Sequence, residues 1–210
     1  MSYEPQEKPR PVVAGKEFSF GAIGLDHGHI NGMCNGLKEA GANLKWVYDP
    51  DSSKIKDFVK KHPGVNVAAS EEQILEDPTI KLVASAAVPS YRGPLGVKVM
   101  GYGKDYFADK PPFTSLEQLQ QAKDQVKATG RKYAVYYSER LHVESAVFAG
   151  QLIERGAIGR VIQVIGMGPH RIRLGLRPPW FFDKAHSGGI LCDIGSHQIE
   201  QFLHFTGAQD

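Results

Sequence analysis

Cysteine is scarce in this 210-residue chain: there are two, Cys34 and Cys192, far apart and in no C-x-x-C pattern. That spacing argues against a disulfide framework and against a thiolate zinc site. Two free, mostly buried thiols in a reducing compartment, the cytoplasm, are expected instead. Long apolar runs are also missing. No stretch approaches the roughly 18–20 apolar residues that cross a bilayer, so no membrane partner is expected. The opening MSYEPQEKPRPVVAGKE is polar, carries three prolines and lacks the apolar core of a secretory signal. Residues 1–16 are expected to be a flexible lead-in. Charge of one sign does not accumulate: 25 Lys and Arg face 23 Asp and Glu, for a net charge of +2, which removes the usual case for a nucleic-acid partner. Neither internal repeats nor low-complexity tracts occur.

What remains is an ordinary globular composition with 41% hydrophobic residues. Short apolar runs alternate with longer amphipathic ones. Strands are expected at Phe18–Ile23, Leu44–Tyr48, Val65–Ala68, Ile80–Val88, Asp105–Ala108 and Lys132–Tyr137. Helices are expected at Asn31–Ala40, Ser52–Lys61 and Arg92–Gly101, and one more runs to Thr129 from a capping box at Thr114-Ser115-Leu116-Glu117. This alternation predicts an α/β fold, a Rossmann-type doubly wound parallel sheet over residues 17–137. The pattern then changes. Residues 138–210 offer a helix at Val143–Arg155, one strand at Val161–Gly166, a long loop over 167–187 and a helix at Ile190–Phe205. That reads as the start of an α+β substrate or oligomerisation domain, cut short.

The first strand ends in Gly24-Leu25-Asp26-His27-Gly28-His29. A glycine turn between strand and helix offers free amides and a helix dipole to an anion, the usual place for a dinucleotide diphosphate. Against the G-x-G-x-x-G fingerprint, Asp26 and His29 stand where the second and third glycines belong. Asp26 must therefore turn away from a phosphate or accept backbone amides, with His27 and His29 as offsetting donors; without a ligand it would be an N-cap. Asp49 closes the second strand, where a carboxylate accepts from ribose hydroxyls and repels a 2′-phosphate, favouring NAD over NADP. Gly24, Gly28, Gly32 and Gly36 recur every four residues, a face on which a helix can approach a sheet closely.

Two further stretches carry a resemblance. Tyr106-Phe107-Ala108-Asp109-Lys110-Pro111-Pro112 is similar to an E-K-P tripeptide after a late Rossmann strand, with Asp109 in place of Glu. Gly188-Gly189-Ile190-Leu191-Cys192-Asp193-Ile194-Gly195-Ser196-His197 resembles a G-G-x-L-x-D-x-G-x-H motif of a second domain. Together they resemble the Gfo/Idh/MocA oxidoreductases, over residues 17–207. The resemblance implies NAD(P)-dependent hydride transfer between a nicotinamide and a hydroxyl or carbonyl carbon of a sugar, cyclitol or sugar derivative, and a homo-oligomer formed through a complete second domain. It implies Lys110, Asp193 and His197 as catalytic residues. It places Gly24, Asp26, His27, Gly28, Asp49, Ala87, Pro89 and Lys110 around the cofactor. Where the family often has a histidine after the Ala87–Ser90 loop, this chain has Tyr91 and Arg92. The chemistry agrees: imidazole titrates near neutrality and can take the hydroxyl proton, Asp193 four residues earlier can orient it, and an ammonium can hold the reacting oxygen.

The loop Pro169–Phe182 adds Arg171, Arg173 and Trp180, which could grip an acidic or phosphorylated sugar, or could pack on a neighbouring domain or subunit. Two other functions stay open. Asp193, His197, Glu200 and His204 form one helical stripe that could ligate a metal for hydrolysis or elimination, although ligands from a single helix rarely close a site. A sensor or scaffold that binds nucleotide or sugar without turnover would share the fold.

Overall fold

The computed structural model describes residues 10–14 and 17–208. Most of the expected lead-in lies outside the described residues. Its residues 10–14 are not loose: the amides of Val12 and Val13 donate to the Ala40 carbonyl at 2.9 and 3.2 Å. The chain forms two compact units, one of Pro9–Tyr136 and one containing Tyr137–Asp210.

The first unit runs β1 (Ser19–Ile23), α1 (His29–Glu39), β2 (Asn43–Tyr48), α2 (Ser52–Lys61), β3 (Asn66–Val67), α3 (Glu71–Glu76), β4 (Ile80–Ser85), α4 (Pro89–Gly101), β5 (Asp105–Asp109), α5 (Leu116–Thr129) and β6 (Tyr133–Tyr136). The strands form one parallel sheet in the order β3-β2-β1-β4-β5-β6. Every residue of β1 is buried, as a central strand covered on both faces requires. Successive side chains alternate between two cores. Phe20 and Ala22 pack with Met33, Cys34 and Val47, whereas Ile23 packs with Ile74, Val83 and Leu95. The order reverses between β1 and β4, the switch point at whose carboxyl edge doubly wound sheets bind their ligands.

Several boundaries differ from the sequence reading for local reasons. The fourth strand stops at Ser85, because Pro89 takes the first position of α4, where its missing amide costs nothing. Pro94, inside the same helix, cannot donate to Ser90; the Gln118 side-chain amide does so instead, at 2.9 Å. The capping box sits one residue later than expected: Ser115 accepts from the Gln118 amide at 3.2 Å, and Gln118 Oε1 accepts from the Thr114 amide at 2.9 Å. The same S-x-x-Q device, Ser70 and Gln73, starts α3, which was not foreseen. Of the glycines at 28, 32 and 36, only Gly32 makes a close approach, with a hypothetical Cβ 2.6 Å from the Tyr136 hydroxyl; Gly28 and Gly36 face open space.

The second unit contains α6 (Ser138–Leu141), α7 (Glu144–Glu154), 3-10 turns at Leu174–Leu176 and Pro179–Phe182, α8 (Lys184–Ser187), a π turn at Leu191–Gly195 and α9 (Ser196–Thr206). The expected strand Val161–Gly166 does not form. A strand needs a ladder partner, and among the described residues this unit contains no other strand; Ile162 and Ile165 stand 78% and 76% exposed. No helix among the described residues is long and apolar enough to cross a membrane.

Candidate functional site

In the first unit the candidate residues gather where β1, β2, β4 and β5 end. Gly24 turns the chain with φ +79°, and a side chain there would put its Cβ 2.6 Å from Ala87 Cβ. Only glycine meets both conditions. The Gly24 amide donates to the Tyr48 carbonyl and its own carbonyl accepts from the Ala86 amide, both at 3.1 Å, while the His27 amide donates to the Ala86 carbonyl at 3.0 Å. The β1 and β4 loops are thus stitched together before they diverge.

Asp26 is resolved by its partners. Lys54 Nζ donates to Oδ1 at 2.7 Å and the Val88 amide to Oδ2 at 3.2 Å, so the carboxylate turns to α2 and the β4 loop. It is not the N-cap of α1; Gly28 holds that position, without a side-chain cap. The Asp26 contact raises the Lys54 ammonium pKa even though burial works against it. Asp49 is 3% exposed, and both its oxygens are engaged: Oδ2 accepts from the Leu25 amide at 2.7 Å, Oδ1 from the Asp51 amide at 2.9 Å. It fixes the glycine turn from behind. The amides of Asp26 and Gly28 make no hydrogen bond within the described residues and flank the open space at Gly28.

The centre of the site is Asp109, the last residue of β5. Its carboxylate is fully buried and collects the Lys110 amide (2.8 Å), Arg92 Nη2 (3.1 Å), His29 Nδ1 (2.8 Å) and His27 Nδ1 (3.2 Å). Burial opposes its ionisation, but the two histidines and the Arg92 charge outweigh that and hold its carboxyl well below the usual range. Arg92, 1% exposed, also donates to the carbonyls of Ala87, Lys110 and Pro111. This guanidinium ties the loop after β4 to the loop after β5. Lys110 is 6% exposed and Ala87 2% exposed, with Pro89 buried at the start of α4. Tyr91 points elsewhere, its hydroxyl 3.4 Å from Glu71. The sequence reading treated Arg92 only as a departure, His29 only as a donor offsetting Asp26, and Asp109 only as a replacement for Glu. Their link spans 80 positions, which no local pattern reveals.

In the second unit His197 is 2% exposed, its Nε2 3.9 Å from Glu139 Oε1 and its ring edge-on to Tyr137 at 5.9 Å. Burial, with the Glu200 charge adding to it, pushes the Tyr137 phenol up. Asp193 lies in the π turn and His197 in α9, so the single α-helix expected over Ile190–Phe205 does not form throughout. The metal stripe fails too. Glu200 pairs with Arg140 at 2.5 Å, and His204 lies where α9 crosses Gly150, its Nε2 2.8 Å from a hypothetical Cβ there. Among the described residues, the one set of three or more potential ligands gathered within 4.8 Å is His27, His29 and Asp109. Arg171 and Arg173 line an open depression of about 530 Å³ with His170 and Arg177, while Trp180 lies outside that lining and packs on Phe181 at 6.3 Å.

Comparison with known proteins accords with this geometry. Residues 19–137 match the model of the oxidoreductase family with an NAD-binding Rossmann fold, and residues 147–209 match the GFO/IDH/MocA C-terminal domain. The chain is 31% identical over 169 residues to scyllo-inositol 2-dehydrogenase (NAD(+)) of Bacillus subtilis (strain 168), covering 80% of this chain and 48% of that protein. It is 24% identical over 152 residues to D-xylose dehydrogenase of Paenarthrobacter nicotinovorans, covering 70% and 39%. A crystal structure named for an oxidoreductase of Erwinia carotovora atroseptica SCRI1043 superposes with a TM-score of 0.87 at 53% identity, over 90% of this chain and 57% of that one. The chain spans about half the length of these proteins or less. With a glycine turn at the switch point of a doubly wound sheet and a buried Asp-Lys-Pro after β5, the chain belongs to the Gfo/Idh/MocA oxidoreductase family.

Proposed function

We propose that this chain carries the nicotinamide-dinucleotide site of a dehydrogenase that moves a hydride between NAD and a CH–OH carbon of a sugar, cyclitol or sugar derivative. The observation that carries this reading is Lys110, 6% exposed just after β5 at the carboxyl end of the sheet, one strand from the switch point. A lysine at a strand end is ordinarily solvated, and its burial here fits a role toward a bound group.

The cofactor's diphosphate would meet the amides of Asp26 and Gly28 at the start of α1, with Ala87 and Pro89 on the facing loop. Asp49 would favour NAD by keeping negative charge at the end of β2, where a 2′-phosphate is repelled. When bound, the nicotinamide ring supplies the hydride acceptor or donor. Lys110 then donates a hydrogen bond to the reacting oxygen and stabilises negative charge growing there. In the second unit, His197 takes the hydroxyl proton and Asp193 orients substrate or imidazole. Arg171 and Arg173 add affinity for an acidic or phosphorylated substrate. The named activities of the inositol and xylose dehydrogenases support the polyol class.

The test is a screen of polyols and aldoses with NAD, read by absorbance of the reduced nicotinamide. Lys110→Ala and His197→Gln are each expected to lower kcat by roughly 100-fold or more while the unfolding transition stays in place. Full turnover in Lys110→Ala would overturn the assignment. Cofactor binding without turnover of any substrate would favour a sensor of the same fold.

A further inference from the structure

We propose that His27, His29 and Asp109 form a binding site for a divalent first-row transition-metal ion such as zinc(II). This does not rest on the hydride-transfer reading. The three donors reach one point from two places in the chain: His27 and His29 flank Gly28 at the start of α1, and Asp109 ends β5. Their ligand atoms all lie within 4.8 Å of one another. Zinc bonds nitrogen and oxygen at about 2.0–2.2 Å, so ligand atoms at these separations can share one ion. Each carboxylate oxygen faces its own imidazole nitrogen, Oδ1 with His29 Nδ1 at 2.8 Å and Oδ2 with His27 Nδ1 at 3.2 Å.

His27 Nδ1 supplies the discriminating detail. It lies 3.3 Å from the His29 amide, between that donor and the Asp109 carboxylate. The same nitrogen faces a carboxylate oxygen at 3.2 Å. A metal ion held there would take the place of the proton that imidazole and carboxylate otherwise share. Two imidazoles and one carboxylate suit zinc and its neighbours in the first row; magnesium and calcium prefer oxygen throughout.

The surroundings are those of a held ligand set. Asp109 is oriented from behind by the Lys110 amide and by Arg92, the kind of outer partner that fixes a metal-binding carboxylate. Arg92 is itself anchored by three carbonyl oxygens. The two imidazole side chains are 29% and 32% exposed, so an ion has a way in. Three protein ligands leave coordination positions open for water or a ligand oxygen.

To test this, the protein would be stripped with a strong chelator and titrated with Co²⁺ as a coloured probe, with Zn²⁺ added in competition. The expected result is one equivalent of Co²⁺ per chain, a ligand-field spectrum of mixed nitrogen and oxygen donors, displacement by Zn²⁺, and proton release in weak buffer. His29→Ala and His27→Ala, each verified as folded by circular dichroism, are expected to weaken binding at least ~10-fold. Absence of stoichiometric binding would mean a purely hydrogen-bonded cluster and would overturn the proposal. Affinity in both variants equal to that of the unsubstituted protein would overturn it as well, by locating the ion elsewhere.

Discussion

Arg92→Met removes the guanidinium that joins the loops after β4 and β5, and replaces it with an apolar chain of similar length. Four acceptors lose a donor: the carbonyls of Ala87, Lys110 and Pro111, and the Asp109 carboxylate, which loses its guanidinium. The pair is 1% and 0% exposed, so water cannot replace what is lost. Removing one partner of a buried pair costs about 3–5 kcal/mol, chiefly through the stranded charge. Unsatisfied carbonyls add about 1–3 kcal/mol each in isolation, but these terms share one side chain and do not sum. We expect a loss of about 4 kcal/mol, a large part of the roughly 5–15 kcal/mol that domains possess. In urea, with a slope near ~2 kcal/mol per molar, the midpoint falls by roughly 2 M. The double variant Arg92→Met/Asp109→Asn removes the stranded charge and is expected to recover about half the loss. Arg92→Lys should not rescue, because a point charge cannot span four acceptors. A loss under about 1 kcal/mol, or strictly additive effects in the double variant, would refute the placement of Arg92 as the buried tie.

Two other expectations follow from buried groups. His62, at the end of α2, accepts from Lys38 Nζ at 3.1 Å and donates from Nε2 to Asn31 Oδ1 at 3.2 Å. Burial, then the Lys38 charge, lowers its pKa from 6.5 to about 4. The unfolded chain therefore binds this proton first, and stability should fall as pH drops from about 6.5 to about 4, by about 3 kcal/mol at most; His62→Gln should flatten that slope in urea titrations run across the range. Cys34 is fully buried, and burial raises its thiol to about 12. A thiol-reactive dye should therefore label only Cys192 in native protein and both thiols in denaturant; rapid native labelling of Cys34 would contradict its place in the core.

The alternating α/β order was legible because each element carries its own signal: apolar runs for β1 and β4, Gly24 at a positive-φ turn, and serine caps before helices. The helix α3 was legible in principle through Ser70 and Gln73, which repeat the spacing of Ser115 and Gln118. Long-range pairings were not. Nothing near His27 in the sequence points to Asp109, and nothing near Arg92 points to the carbonyls of Lys110 and Pro111. Asp26 read as an obstacle to phosphate because a carboxylate stands where the fingerprint has its second glycine; its actual partners, Lys54 and the Val88 amide, come from α2 and the β4 loop. The apolar spacing of Val161–Gly166 suggested a strand, but periodicity describes a face and cannot supply the neighbour that a strand requires.

The central claim is that the Gly24 turn holds a nicotinamide dinucleotide, and the most direct measurement is titration of NADH into the protein, followed by nicotinamide fluorescence, beside Gly24→Ala. The substitution forces a side chain into φ +79° and against Ala87 while leaving the other loop partners unchanged. Saturable NADH binding, stronger than for NADPH and weakened at least ~10-fold in the variant, is the expected result. No saturable binding in folded protein, or equal binding in the variant, would contradict it.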